Sequence, residues 1–192
     1  RITHFGLAVD NFDHAEAEQF LAGNGVQAAN ASAAMQSRIR LRGEESGGAV
    51  NGTPELYFGD PDGIVVQLQD TSYCGGAGLL GEECLPIAEP ASTNGLLSIR
   101  EFNHFTLFVT DQARSIRFYQ SLFGLPIDTY QGALPVLRVG SGKQFLALSG
   151  QPTRTSQIHH VSLAIENFDV DRIFSLLESY GLTILGEAGG AN

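Results

Sequence analysis

The stretch Ile2 to Asp13 (ITHFGLAVDNFD) returns as Ile158 to Asp169 (IHHVSLAIENFD) with seven of twelve residues identical, and a looser third copy opens at Phe102 (FNHFTLFVTD). A chain that repeats itself is assembled from like units that stack or pair, and this outweighs any single-residue signal. Each copy brings a histidine, His4, His104 and His160, to the same register of the same kind of strand. If the units pair, the histidines converge.

The first unit reads as a strand from Ile2 to Val9, then a short helix led by Asp13 that ends at the turn Gly23-Asn24-Gly25. Strict alternation at SRIRLR (Ser37 to Arg42) predicts a second strand. Leu56 to Phe58 joins Ile64 to Leu68 through Asp60-Pro61-Asp62-Gly63, a hairpin set by turn chemistry: Pro presets its own dihedral and Gly accepts a positive one. The segment PIAEPASTNGLL (Pro86 to Leu97) has no periodicity and reads as a linker. The second unit repeats the order, with a helix after Asp111 carrying Ile116, Tyr119, Leu122 and Phe123 on its apolar side and Gly124 at its end, then strands near Val136 to Val139 and Gln144 to Leu148. In the third, the helix from Asp169 to Tyr180 places Ile173, Phe174, Leu177 and Tyr180 in one stripe.

The third unit follows the first at an offset of 158 − 2 = 156 residues, so Asn192 falls opposite Gln36 and nothing answers to Arg38 through Leu85. Strands without partners expose backbone donors and acceptors. The expectation is a last unit that is open or exchanged with another chain, and a further unit ahead of Arg1, whose position directly on a strand pattern looks trimmed or cut.

Strand periodicity places His4 with Gly6 and Ala8, His104 with Thr106 and Phe108, and His160 with Ser162 and Ala164. The opposite faces carry Phe5, Leu7 and Val9, Phe105, Leu107 and Val109, and Val161, Leu163 and Ile165, all suited to packing beneath a helix. One histidine alone is ordinarily a hydrogen-bonded residue of a strand; three in one register on a small-residue face describe a lined cavity.

A strand-helix-three-strand unit, repeated, with His in each first strand and a DPDG hairpin, resembles the vicinal oxygen chelate superfamily of glyoxalases, bleomycin-resistance proteins and extradiol dioxygenases. The most specific pieces are His104 to Pro126 (HFTLFVTDQARSIRFYQSLFGLP) and Phe58 to Asp70 (FGDPDGIVVQLQD). The resemblance implies an α+β protein of repeated βαβββ units pairing into curved, cup-shaped mixed sheets. Residues 1–85 would be the second half of a first glyoxalase-like domain, 86–100 a linker, and 101–192 a further such domain whose second unit is incomplete. It also implies a divalent metal inside a cup, held by opening-strand histidines and a Glu on a last strand. On that pattern the metal residues are His104 and His160 in one cup, or His4 and Gln67 in another.

Gln67 departs from the pattern, because the family's carboxylate position holds a neutral amide. Iron(II) oxygenases use two His and one carboxylate, so the missing anion leaves a metal's charge less compensated. Iron, manganese, nickel or zinc, and no metal at all, stand as equal alternatives. Arg38, Arg40, Gln69, Thr106 and Ser162 are the residues expected to touch a substrate; against this, Arg38, Arg40 and Arg42 also suit a solvated edge. Tyr57, Tyr119 and Tyr130 are acid/base groups only in principle, with Tyr119 in a core stripe. Asp60 and Asp62 read as turn formers.

Eleven Lys and Arg against twenty-one Asp and Glu give a net charge of −10, which removes the basic face that non-specific nucleic-acid binding needs. No apolar run approaches a membrane span. The expected partner is a small organic molecule, with a homodimer or strand exchange completing the open units. Cys74 and Cys84, in TSYCGGAGLLGEEC, are either bridged or two thiols in a tail, and a bridge would point to export rather than a cytoplasmic location.

Overall fold

The computed structural model describes residues 2–29, 33–85, 89–93 and 95–184. The first unit runs β1 (His4–Val9), α1 (His14–Gly23), β2 (Gln27–Ala28), β3 (Gln36–Arg42), a single 3-10 turn (Glu44–Ser46), β4 (Thr53–Gly59) and β5 (Val65–Asp70). The second runs β6 (Ile99–Val109), α2 (Gln112–Phe123), β7 (Ile127–Gln131), β8 (Leu134–Arg138) and β9 (Phe145–Gly150); β10 (Gln157–Ile165) and α3 (Val170–Ser179) follow. The architecture is α+β, with two mixed five-stranded sheets ordered β1-β5-β4-β3-β2 and β10-β6-β9-β8-β7. In both, the first strand of the unit lies parallel to its last, β1 to β5 and β6 to β9, which places the helix crossover over one face.

Each repeat starts its helix the same way. Asp13, Asp111 and Asp169 are N-caps in extended conformation whose carboxylates accept from backbone N–H groups of the first turn. Gly124 closes α2 at φ 65°, the left-handed geometry that glycine reaches without a Cβ penalty. The hairpin between β4 and β5 is the DPDG turn, closed by Gly63 N–H donating to Asp60 O and by Asp60 N–H donating to Ile64 O, both at 2.9 Å.

The apolar faces of the two units make one core. Phe5, Leu56, Phe58, Val66 and Leu68 from the first sheet join Leu107, Val109, Leu146 and Leu148 from the second and Tyr119 and Leu122 from α2. Phe58 on β4 sits 6.2 Å, ring to ring, from both Phe118 and Phe123 on α2, and Phe5 meets Phe105 at 5.1 Å. Truncating a buried aromatic such as Phe58 costs about 3–5 kcal/mol. The stripe predicted on α3 is only partly covered: Ile173 is buried, while Phe174 and Tyr180 are 43% and 70% exposed.

The same hairpin also locks the units together. Tyr119 donates its hydroxyl to Asp60 Oδ2 at 3.0 Å, and Asp62 accepts from Thr110, Ser115 and Ser156 while pairing with Arg114 at 2.9 Å. The two aspartates are therefore more than turn formers. Burial pushes Asp62 up, but the Thr110 hydroxyl and amide and the Arg114 guanidinium outweigh it and hold the carboxyl below its ordinary range.

Candidate functional site

β10 pairs antiparallel with β6, setting His160 opposite Thr106 and Ser162 opposite His104. The two histidines lie within their strands rather than at strand entrances, and their rings meet edge to face with Nε2 3.2 Å from Nε2. Thr106 Oγ1 is 3.2 Å from the same His160 nitrogen, and Phe145 stacks on His104 with ring centroids 4.4 Å apart. Desolvation first, then the neighbouring histidine, pushes both imidazoles below their ordinary pKa. The shift favours the neutral imidazole, which is the ligating form.

The outer nitrogens are engaged. His104 Nδ1 lies 2.8 Å from Asn103 Oδ1, and His160 Nδ1 lies 2.8 Å from His159 Nδ1. Strict alternation would put His159 on the opposite face, but the strand shifts register between Ile158 and His160, and His159 stacks on Phe108 at 4.2 Å beside its neighbour. Asn103 and His159 are the residues that sequence reading missed; the adjacent pair His159-His160 was visible, the bulge that makes it matter was not.

This arrangement fits a divalent cation in part. Metal–nitrogen bonds of about 2.0–2.1 Å meeting at about 90–109° separate two nitrogens by about 2.9–3.4 Å, the range in which these two fall. No group of three His, Cys, Asp or Glu gathers at one point among the described residues, so a third anionic ligand is not supplied there. His104 also borders a mainly apolar cleft of about 310 Å³, formed where Phe5, Leu7 and Ala8 of β1 face Phe102, Phe105 and Phe145.

His4 and Gln67 belong to the other sheet. His4 is exposed, bonded through Nδ1 to Thr3 at 3.1 Å and set 5.5 Å from the Tyr57 ring, while Gln67 pairs in register with Gly6 and Tyr57. The four residues named for a metal thus divide between two sheets. Around Gln67 the face is polar and closed. Glu55 takes Arg42 at 3.1 Å, Arg40 at 3.6 Å and the Tyr57 hydroxyl at 3.0 Å. Burial, then the bond to Glu55, drives Tyr57 up to about 12, so this tyrosine gives up no proton near neutrality. Gln69 is buried, and neither atom of its amide has a partner among the described residues.

The three arginines of β3 part company. Arg38 lies over the Tyr57 ring and Arg40 stays half exposed, whereas Arg42 is buried, where it donates to the carbonyls of Gly47, Gly75 and Gly76. The last two belong to the loop closed by a Cys74–Cys84 disulfide. Arg42 is a structural clamp on that loop.

Residues 101–190 match the family model described as Glyoxalase/Bleomycin resistance protein/Dioxygenase superfamily. The fold is that of the vicinal oxygen chelate superfamily. A halotolerant catechol dioxygenase, BphC, is 17% identical and superposes with TM-score 0.60 over 96% of this chain and 58% of its own. The 2,3-dioxygenase LapB from Pseudomonas sp. KL28 is 17% identical with TM-score 0.55, over 92% of this chain and 59% of its own. The chain therefore spans under three fifths of either dioxygenase, and likeness at this identity speaks for the fold alone. A methylmalonyl-CoA epimerase from Mycobacterium tuberculosis, 15% identical, covers 50% of this chain and 74% of its own at TM-score 0.42, too loose to carry an argument. No curated protein matches the sequence significantly.

Proposed function

We propose that the protein acts on a small organic molecule bearing two adjacent oxygens, with His104 and His160 as two ligands of a divalent metal. The observation that carries this reading is the pair of imidazoles, Nε2 to Nε2 at 3.2 Å, beside an apolar cleft. Iron, manganese, nickel or zinc bound there would supply Lewis acidity toward the substrate oxygens. The protein's own part is positioning. Asn103 orients His104, Phe145 fixes the ring plane by stacking, and Thr106 and Ser162, on the same face, would meet the substrate. Arg38, Arg40 and Gln69 lie on the first sheet and would serve a second ligand rather than this one.

A metal-free binding protein is the second reading. Gln67 favours it, since the first sheet offers an amide where an anionic ligand would stand. Metal analysis of the purified protein, followed by calorimetry with zinc, nickel, manganese and iron(II), separates the two. Binding lost in both His104→Ala and His160→Ala supports the metal reading, and no binding by the wild type removes it. Among the described residues β1 is paired on one side only, to β5, and we infer that a second copy or strand exchange adds to its other edge; size-exclusion chromatography with light scattering tests this.

A further inference from the structure

In all three repeats the residue before the aligned histidine reaches that histidine's Nδ1: Thr3 to His4 at 3.1 Å, Asn103 to His104 at 2.8 Å, and His159 to His160 at 2.8 Å. The device is the same, but the chemistry of the third copy is different. Asn Oδ1 only accepts, and a Thr hydroxyl donates or accepts by rotating its one hydrogen, whereas in an imidazole pair the hydrogen between the two facing nitrogens fixes the tautomer of both rings at once.

Both arrangements satisfy the contact between His159 and His160, and the first also satisfies the one between His104 and His160. In the first, His104 donates Nδ1–H to Asn103 Oδ1, His160 donates Nε2–H to His104 Nε2, and His159 donates Nδ1–H to His160 Nδ1. In the second, His160 carries its proton on Nδ1 and donates it to His159 Nδ1, and the Thr106 hydroxyl turns its hydrogen elsewhere, which leaves the His160 Nε2 lone pair free. Only the second turns two lone pairs, one from each Nε2, toward a common point. Passing from the first to the second moves one proton from His159 Nδ1 to His160 Nδ1; His160 Nε2 releases one to solvent and His159 Nε2 takes one up. Each ring stays neutral and the proton count is unchanged.

We propose that His159 is a positioning residue that sets which nitrogen of His160 carries the proton, and so makes the His160 Nε2 lone pair available beside that of His104. Its place is built by the bulge between Ile158 and His160, by the Phe108 ring 4.2 Å beneath it, and by Arg154, whose guanidinium sits 5.6 Å from the same Phe108 ring. Partners of this kind, outside the ligand set, fix the orientation and basicity of a ligating histidine. The proposal rests on the reading of His104 and His160 as ligands, and it adds a role that reading does not need.

The test uses ¹⁵N-histidine-labelled protein, with long-range ¹H–¹⁵N spectra that report the protonated nitrogen of each ring, and calorimetry with zinc alone. Two variants suit it: His159→Phe keeps the stack on Phe108 and removes the hydrogen bond, and His159→Asn copies the partner that the second repeat uses. In the wild type His160 should hold a single tautomer, and zinc should switch the protonated nitrogen of His159, a residue that does not touch the metal. His159→Phe should leave His160 an averaged mixture and lower zinc affinity about 10–100-fold, with His159→Asn restoring both. An unchanged His160 tautomer and unchanged affinity in His159→Phe would overturn the proposal. If zinc binds no form, the metal reading falls by itself, and the His160 tautomer in the metal-free wild type and Phe variant still decides the role of His159.

Discussion

Asp60 is fully buried at the joint between the units, and the structure makes it a measurable source of pH dependence. Desolvation raises its pKa from 3.8 to about 6, against the pull of the Ile64 and Asp62 amides and of the Tyr119 hydroxyl. The folded state therefore binds this proton more tightly than the unfolded chain. Stability from the group is fully present below the unfolded value of 3.8 and is lost as pH rises through about 6. A shift of about two units corresponds to about 3 kcal/mol. Other groups tilt the curve the opposite way: the depressed carboxylates of Asp62 and Asp70 and the depressed imidazoles of His104 and His160 all lose stabilisation as pH falls. The useful quantity is thus a difference. Asp60→Asn keeps the oxygen that accepts from the Asp62 and Ile64 amides at 2.9 Å and cannot ionise. Urea unfolding of both proteins from pH 4.5 to 8 should show the variant gaining about 2–3 kcal/mol on the wild type across that range, most of it between pH 5 and 7. A difference that stays flat with pH would refute the burial argument.

Further outcomes follow from neighbouring features. Tyr119→Phe should cost about 1–3 kcal/mol, since it strips a buried acceptor of its donor, and the same urea series measures it. Replacing both Cys74 and Cys84 with Ser should lower stability by up to about 3 kcal/mol, the closure entropy of a loop this short; a change under about 0.5 kcal/mol would show that Arg42 alone holds the loop. Gln69→Met removes an amide with no partner among the described residues and should raise the melting temperature, whereas a loss above about 1 kcal/mol would reveal a bridging water or ligand at that amide. Gln67→Glu should leave zinc affinity at His104 and His160 unchanged, because Gln67 stands on the other sheet; an increase there would disprove the division into two sites.

What could be read in the sequence was what a single unit determines about itself. The period-two face of β1, the Asp caps of all three helices and the DPDG turn depend on residues within a few positions of one another, and they came through as expected, whereas on β10 register shifts break the alternation and leave Val161 and Leu163 exposed. The pairing of His104 with His160 was legible too, through the repeat rather than through local chemistry. β7 was missed because Ile127–Gln131 is exposed along its whole length and carries no alternation for a pattern to catch.

The features that escaped share one cause: each is set by a segment distant in sequence. Turn chemistry accounts for Asp60 and Asp62 completely, so nothing in FGDPDG announces that Tyr119, Thr110 and Arg114 claim their carboxylates from another unit. Alternation sent His159 away from the site, and only the antiparallel pairing of β10 with β6 forces the bulge that turns it back. The three arginines of β3 look equivalent in SRIRLR, yet the loop closed by Cys74 and Cys84 buries Arg42 and leaves Arg40 half exposed. In a protein made of repeats, the repeat supplies the framework three times over, and the differences between copies arise at the contacts between units. His159 stands at such a contact, where the second copy has Asn103 and the first has Thr3, and there the partner of the histidine is itself a ring whose tautomer is coupled to that of the histidine it meets.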